Sequence, residues 1–385
     1  MTMRVAFVKD PGRAVPWLAM VAPGLSSAIR GRTILVKPNV VNGIGWNDGA
    51  TTDPQTVKAV IDWLRQAGAA KIVIGEGSLV GADTMTSFAA TGYRGLAEDC
   101  GVDLIDLKRC PSVRVPLPTA VGPFRSVLVA RPVLEAGALV NIAILKAHSQ
   151  VCLTMAAKNL KGCLPDDEKK RFHRVGVHHG LVALNMVLKP CLNVIDARRA
   201  DLIWELGGHP VDLDFMAAGC NAVELDGVVA RLVGYEPRHV PYLRLLEEAG
   251  LGSLQPSLAG VEYRLLESAG PESLAGLARL TMGRVANYHE ARMSERLPGS
   301  CILGERRCSG CTGAIICALE KLRGEGLKAP GVLCVGYQSR AVPPTAIGVG
   351  DCAARGMPLD RIVPGCPPTT YEIYSWLKGR LASHE

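Results

Sequence analysis

Thr33-Ile34-Leu35-Val36-Lys37, then Asp53-Pro54 opening a run to Gln66, then Gly68 and Lys71-Ile72-Val73-Ile74-Gly75, decide the fold between them. The outer two segments are short apolar runs rich in β-branched residues, as in strands buried on both faces. Between them, Asp53 can accept the free N–H groups of a helix start, and Pro54 takes the first helical position, where its missing N–H costs nothing. Gly68 stands just past the helix end. Strand, amphipathic helix and strand in that order predict a βαβ crossover and hence a parallel pair.

The alternation extends in both directions from this unit. A strand-like run, Arg4 to Val8, precedes it; a helix from about Thr84 to Asp99 and a strand from Val102 to Leu107 follow. A hairpin interrupted by Pro and Gly is expected over Val113 to Ala130, then a buried strand Leu139 to Leu145 running into Lys146. A basic segment of mixed character, Thr154 to His179, leads through another helix and strand to Asp196. Helices are expected at Ala222 to Val233 and Pro241 to Ala249. The fold class is therefore α/β: a largely parallel sheet covered by helices, plus a smaller C-terminal α/β domain. The expected boundaries are 1–267 for the large domain, 268–300 for a polar, helix-biased connector and 301–385 for the small domain. The small domain offers a helix after Cys311, strands at Gly331 to Gly336, Thr345 to Val349 and Arg361 to Val363, and a last helix Thr369 to Leu381.

Hydrophobic residues at 48% and charged residues at 21% of 385 exclude a disordered chain, and aromatics at 5% speak against a β-sandwich. Met1 to Asp10 lacks a secretory layout, and apolar stretches such as Ala136 to Leu145 fall far short of a membrane span. A soluble, cytoplasmic protein with no membrane partner is expected. The net charge of +7 is modest for this length and suits an anionic small molecule without calling for nucleic acid.

Thirteen cysteines in such a chain point to metal or redox chemistry rather than to disulfides. Cys308-Ser309-Gly310-Cys311 is a C-x-x-C pair leading into a helix, where the N-terminus favours thiolate. Cys352 and Cys366 each follow a short strand; if those strands are parallel, all four sulfurs gather at one sheet edge. Four thiolates suit a [4Fe-4S] cluster, with zinc as the rival, and Gly365-Cys366-Pro367-Pro368 favours the cluster because proline often follows a cluster cysteine. Cys301 or Cys317 could replace one ligand, and Cys334 falls mid-strand, in the core. The plainer alternative is four cysteines packed as small apolar residues.

In the large domain, polar motifs interrupt the chain at or near strand ends: Lys37-Pro38-Asn39, Thr51-Thr52-Asp53-Pro54, Gly75-Glu76-Gly77-Ser78, Lys146-Ala147-His148 and Lys158-Asn159-Leu160-Lys161-Gly162. Ligands of open α/β sheets bind beyond the carboxyl ends of strands, so these motifs suggest one composite site. Lys146, His148 and Lys158 are the candidate catalytic residues; Lys37, Asn39, Thr52, Glu76, Asn159 and Lys161 are candidates for substrate binding. Converging cations would hold a carboxylate or phosphate and a developing oxyanion, and His148 or a lysine of lowered pKa could move a proton. Lys169 to Arg174, following Asp166 to Glu168, reads instead as a solvated loop. Asp53 reads as a helix cap, and Glu76 and Asp196 as acids or lysine partners. Neither a dinucleotide fingerprint nor a Walker loop is present.

Taken together, Leu35-Val36-Lys37-Pro38-Asn39, Thr51-Thr52-Asp53-Pro54, Lys146-Ala147-His148, Ala157-Lys158-Asn159-Leu160-Lys161-Gly162 and Val223 to Leu232 resemble the domain of unknown function 362 family over about the first two-thirds of the chain. Many members carry a ferredoxin-like segment with tightly clustered cysteines, whereas here the cysteines spread over a larger unit. The resemblance implies an iron–sulfur association and supplies no settled reaction. The expectation is an iron–sulfur oxidoreductase passing electrons from a [4Fe-4S] cluster to a small anionic substrate, with a ferredoxin-like donor as partner and a homodimer allowed. The alternatives are a cluster-containing isomerase, racemase or lyase, and a non-catalytic electron carrier.

Overall fold

The computed structural model describes residues 2–255, 260–296, 301–303, 309–328, 332–335, 342–351, 353, 357–365 and 368–382. The central unit is as the sequence dictates. Strand β1 is Met3–Phe7; β2 (Thr33–Lys37), the helix Pro54–Gln66 and β3 (Lys71–Glu76) form the crossover, and β2 pairs parallel with β3. Asp53 caps the helix by accepting from the Gln55 N–H at 2.9 Å. The chain then makes β4 (Asp103–Asp106), an antiparallel hairpin of β5 (Ser112–Val121) and β6 (Phe124–Ala130), β7 (Ala138–His148) and a short β8 (Cys152–Thr154). Strands β9 (Leu192–Asp201), β10 (Pro210–Gly219) and β11 (Val261–Leu265) complete a sheet of order β11-β1-β10-β9-β7-β2-β3-β4, with β8 beside β7.

From β9 to β4 this path is parallel; β10 runs antiparallel to both β9 and β1. After β2 the chain builds outward through β3 and β4 on one side, then returns to place β7 and β9 on the other. The β2/β7 boundary is therefore a topological switch point, where a crevice opens beyond the strand ends. Along β7, Val140 and Ile142 join the core under the helix Pro54–Gln66, while Ala143 and Leu145 join the opposite core under Val177–Val187 and Ala222–Leu232. Covering on both faces is why β7 reads as one continuous apolar run.

Two expectations are corrected and one is filled in. The single helix expected over Thr84 to Asp99 is two, Thr84–Ala90 and Tyr93–Cys100, because Gly92 between them takes a positive φ of 82°. The connector, expected to be helix-biased, holds the helix Leu274–Arg296, and what the sequence did not show is its buried stripe of Leu277, Thr281, Val285 and His289, which recur every four residues. Half of that stripe is polar, which hid the helical period from the sequence. Lys169 to Arg174 is not a solvated loop but part of the helix Asp166–Val175, with Lys169 buried.

In the C-terminal part, β12 (Cys301–Leu303), β13 (Leu333–Val335), β14 (Ile347–Val349) and β15 (Ile362–Val363) make a wholly parallel sheet in that order. Helices Ser309–Gly324 and Thr370–Ala382 share its apolar core, which also takes in Ile203 from the chain leaving β9. Contact with the large sheet is close: a Cβ on Gly313 would stand 2.5 Å from the Leu202 carbonyl oxygen.

Candidate active site

A cavity of about 300 Å³ lies beyond the carboxyl ends of β2, β3 and β7. Its wall carries Asn39, Glu76, Lys146, His148, Lys158 and Asn159, together with Lys161, Lys169, His173 and Glu205. Of the sequence candidates, Lys37 and Thr52 do not line it. Both stand behind it.

Lys37 is wholly buried and pairs with Glu76 at 3.0 Å, and its ammonium also donates to the Pro38 carbonyl and to Asn159 Oδ1. Glu76 fills its remaining capacity on the backbone N–H groups of Val40 and Gly77. Thr52 accepts from the Asn39 N–H and donates to the Ile142 carbonyl, fixing Asn39 from the rear. These residues hold the wall rigid, and a Cβ at Gly162 would collide with Glu76 Oε1 and Lys37 Nζ, so the turn carrying Lys161 presses directly on the pair.

The register explains a polar row that sequence reasoning missed. Lys37 lies beside Asn141, and Asn141 beside Asn193, across β2, β7 and β9. Asn141 donates to Asn193 Oδ1 and accepts from Asn159 Nδ2, both at 2.8 Å, while Asn39 donates to Asn159 Oδ1 at 2.8 Å. The sequence signal was a lone asparagine inside each of two apolar strands. Asn39 Oδ1, behind the cavity wall, is buried and has no partner among the described residues.

Lys158 and Asn159 sit on one helical turn, Ala156–Asn159. Buried Asp226 caps that turn, accepting from the Ala156 and Ala157 N–H groups at 2.8 and 3.0 Å, and this gives the Val223 to Leu232 segment its role. Burial without a cation pushes the Asp226 carboxyl up to about 8. Glu205, also unforeseen, is held by the Ser149 N–H and hydroxyl at 3.0 and 2.6 Å.

The cations are crowded and poorly hydrated. Burial, then the Lys158 charge, pulls Lys146 down to about 7, and its Nζ donates to the Ala50 carbonyl at 2.6 Å. Burial brings Lys158 down to about 8. Burial, then Lys158, brings Lys161 to about 7, with its Nζ 2.5 Å from His173 Nε2. Lys169, likewise lowered to about 8 by burial, donates to the Gly77 and Ser78 carbonyls. Burial and the neighbouring lysines hold His148 well below its ordinary range. Its Nδ1 accepts the Gln150 N–H at 3.1 Å, so the neutral ring carries its proton on Nε2. His148 is thus a donor toward an anion rather than a base. Asp196 pairs with Arg198 and Thr56, not with a lysine.

Cys308, Cys352 and Cys366 lie outside the described residues. Cys311 is buried, and a Cβ on Gly350 would stand 3.0 Å from its Sγ. Gly350, at a φ of 89°, and Gly365 flank that edge, where the Asp351 N–H donates to the Gly365 carbonyl and the Gly365 N–H donates to Asp351 Oδ1. Cys317 instead faces the apolar core, where burial pushes its thiol up, and Cys334 is buried mid-strand. No side chain is described for Cys301. A narrow crevice joins this unit to the cavity region: His148, Cys152, Pro368 and Thr369 share its walls.

A family model described as a domain of unknown function, DUF362, matches residues 34–231. The thylakoid-associated protein sll1697 of Synechocystis sp. is 26% identical over 246 residues, 61% of this chain and 72% of that protein. Among solved structures, the lactate racemase apoprotein of Thermoanaerobacterium thermosaccharolyticum aligns with a TM-score of 0.36 and 13% identity, over 51% of this chain and 50% of that one. This chain spans about half the length of that structure.

Proposed function

The chain belongs to the domain of unknown function 362 family, and from that premise we propose that it is an iron–sulfur oxidoreductase acting on a small anionic organic substrate bound in the lysine-lined cavity. The observation that carries this reading is the shared position of His148. It lines the cation-rich cavity and also the crevice bordered by Pro368 and Thr369, two and three residues past Cys366 in the chain.

The C-terminal sheet supports the reading of a thiolate-bound group. β12, β14 and β15 belong to one parallel sheet, so the turns leaving them emerge at one edge. Gly350 lies against the Cys311 Sγ there, leaving bare backbone beside sulfur, with the Gly365 carbonyl next to it. Cys308, Cys311, Cys352 and Cys366 would hold the group, which when bound supplies single electrons. The protein's own part is to bind and orient. Lys146, Lys158 and Lys161 attract the anion, and the His148 Nε2–H donates to it. An electron carrier has no use for such a cavity, which favours an enzyme supplied by a ferredoxin-like donor.

Iron, acid-labile sulfide and zinc, assayed on protein purified without oxygen, test the reading. About four irons and four sulfides per chain, lost together in Cys311→Ser, are expected. Stoichiometric zinc with no sulfide would replace the redox role by a structural or Lewis-acid one.

A further inference from the structure

We propose that Lys158 is a nucleophilic amine that forms an imine with the carbonyl carbon of a small 2-oxo acid, whose carboxylate the neighbouring cations hold. This rests on the reading of the cavity as the substrate site and deepens it. Every other cavity lysine is occupied: Lys146 on the Ala50 carbonyl, Lys161 against His173, Lys169 on the Gly77 and Ser78 carbonyls. Among the described residues, the Lys158 Nζ has no hydrogen bond and no ion pair, yet it lines the cavity.

Its backbone is held on three sides. Asp226 takes the N–H groups at the start of the turn, Asn141 donates to the Ala156 carbonyl, and Asn159 is fixed by Asn39 and Asn141. An amine presented from so constrained a turn meets a bound carbonyl in few orientations, which lowers the entropic cost of attack. Near pH 7 roughly a tenth of Lys158 is neutral, against well under about one in a thousand for an ordinary lysine, because its pKa is lowered to about 8. Burial, the largest influence on Lys158, is the setting in which a lysine becomes a Schiff-base former.

The surroundings select the carbonyl partner. The cations and the His148 Nε2–H require an anion, and a cavity of about 300 Å³ admits only a small one. In the addition step the amine nitrogen bonds the carbonyl carbon and gives up one proton, and the carbonyl oxygen gains a proton as a hydroxyl. Loss of that hydroxyl with a second proton, as water, leaves the carbon–nitrogen double bond. Overall, the two protons of the neutral amine leave in the water, and no oxidant or reductant is consumed.

The test uses the full chain, pyruvate as the probe and cyanoborohydride to reduce an imine as it forms, with peptide mass spectrometry to place the adduct. One reduced adduct per chain, at Lys158, is expected. It should vanish in K158R and K158Q and persist in K71Q, an exposed lysine paired with Asp103. Acetone, which lacks the carboxylate, should give about tenfold less adduct or lower. Site mapping on the unaltered protein decides the question even if a variant fails to fold. An adduct on another lysine overturns the proposal. Pyruvate that binds, seen by saturation-transfer NMR, yet is never trapped removes the imine and leaves the cavity reading standing. No binding and no adduct removes both.

Discussion

At the scale of single residues, Lys37 and Glu76 show how charged side chains at strand ends can serve the frame of a site instead of its ligand. Both carry charge at strand ends and both read as substrate ligands, yet their charges are spent on each other inside the protein. A buried pair adds little net stability because desolvation offsets attraction, but breaking it strands a charge. Lys37→Met should therefore lower unfolding free energy by roughly 3–5 kcal/mol in urea titrations. Lys37→Met combined with Glu76→Gln should recover much of that, since glutamine still accepts from the Val40 and Gly77 N–H groups. A loss below about 1 kcal/mol in the single variant would mean that water reaches the pair and that it belongs to the cavity after all.

At the scale of elements, the one-turn helix Ala156–Asn159 is too short to persist alone, and Asp226 supplies what it lacks. The folded carboxyl has its pKa raised from 3.8 to about 8, so the native state keeps a proton that the unfolded chain has released. That contribution is whole below pH 4 and is lost as pH climbs toward 8. Thermal melts of the wild type against Asp226→Asn should diverge across that interval, the wild type losing ground as pH rises; parallel curves would rule out the protonated carboxyl. Elements such as β2, the helix Pro54–Gln66 and β3 were legible because caps, period and burial agree. The helix Asp166–Val175 was not, because its charges resemble a solvated run until the fold turns Lys169 onto the Gly77 and Ser78 carbonyls. Asn141, Asn193 and Glu205 were equally hidden: each takes its meaning from a cross-strand or loop partner distant in the sequence. Lys146, Lys158 and Lys161 could be named from motifs at or near strand ends, but which of the cavity lysines lacks a partner depends on distances only the fold sets.

At the scale of the molecule, the chain leaving β9 ties the two sheets together: Ile203 enters the small sheet's core, while Glu205 and Leu206 reach the cavity wall. The cavity's charge state is then a property of the assembled whole, set by how much water the joined walls exclude. Lys146 and Lys161 at about 7 and Lys158 at about 8 are part-neutral near physiological pH, and an anion can bind fully only if they regain protons. Sulfate, whose own charge is constant over this range, should bind more weakly as pH rises from about 7 to 9, by up to about tenfold per pH unit for each proton taken up. Calorimetry in buffers of different ionisation enthalpy should show that uptake directly. Imine formation at Lys158 needs the neutral amine and so has the opposite slope. Pyruvate trapping should accordingly pass through a maximum between the two limits, while sulfate affinity only declines. A flat sulfate profile would show that the lysines keep full charge and would remove the basis for an amine nucleophile. A declining sulfate profile with pyruvate trapping that also only declines would show that neutral Lys158 does not limit imine formation and would remove the lowered amine pKa from the argument.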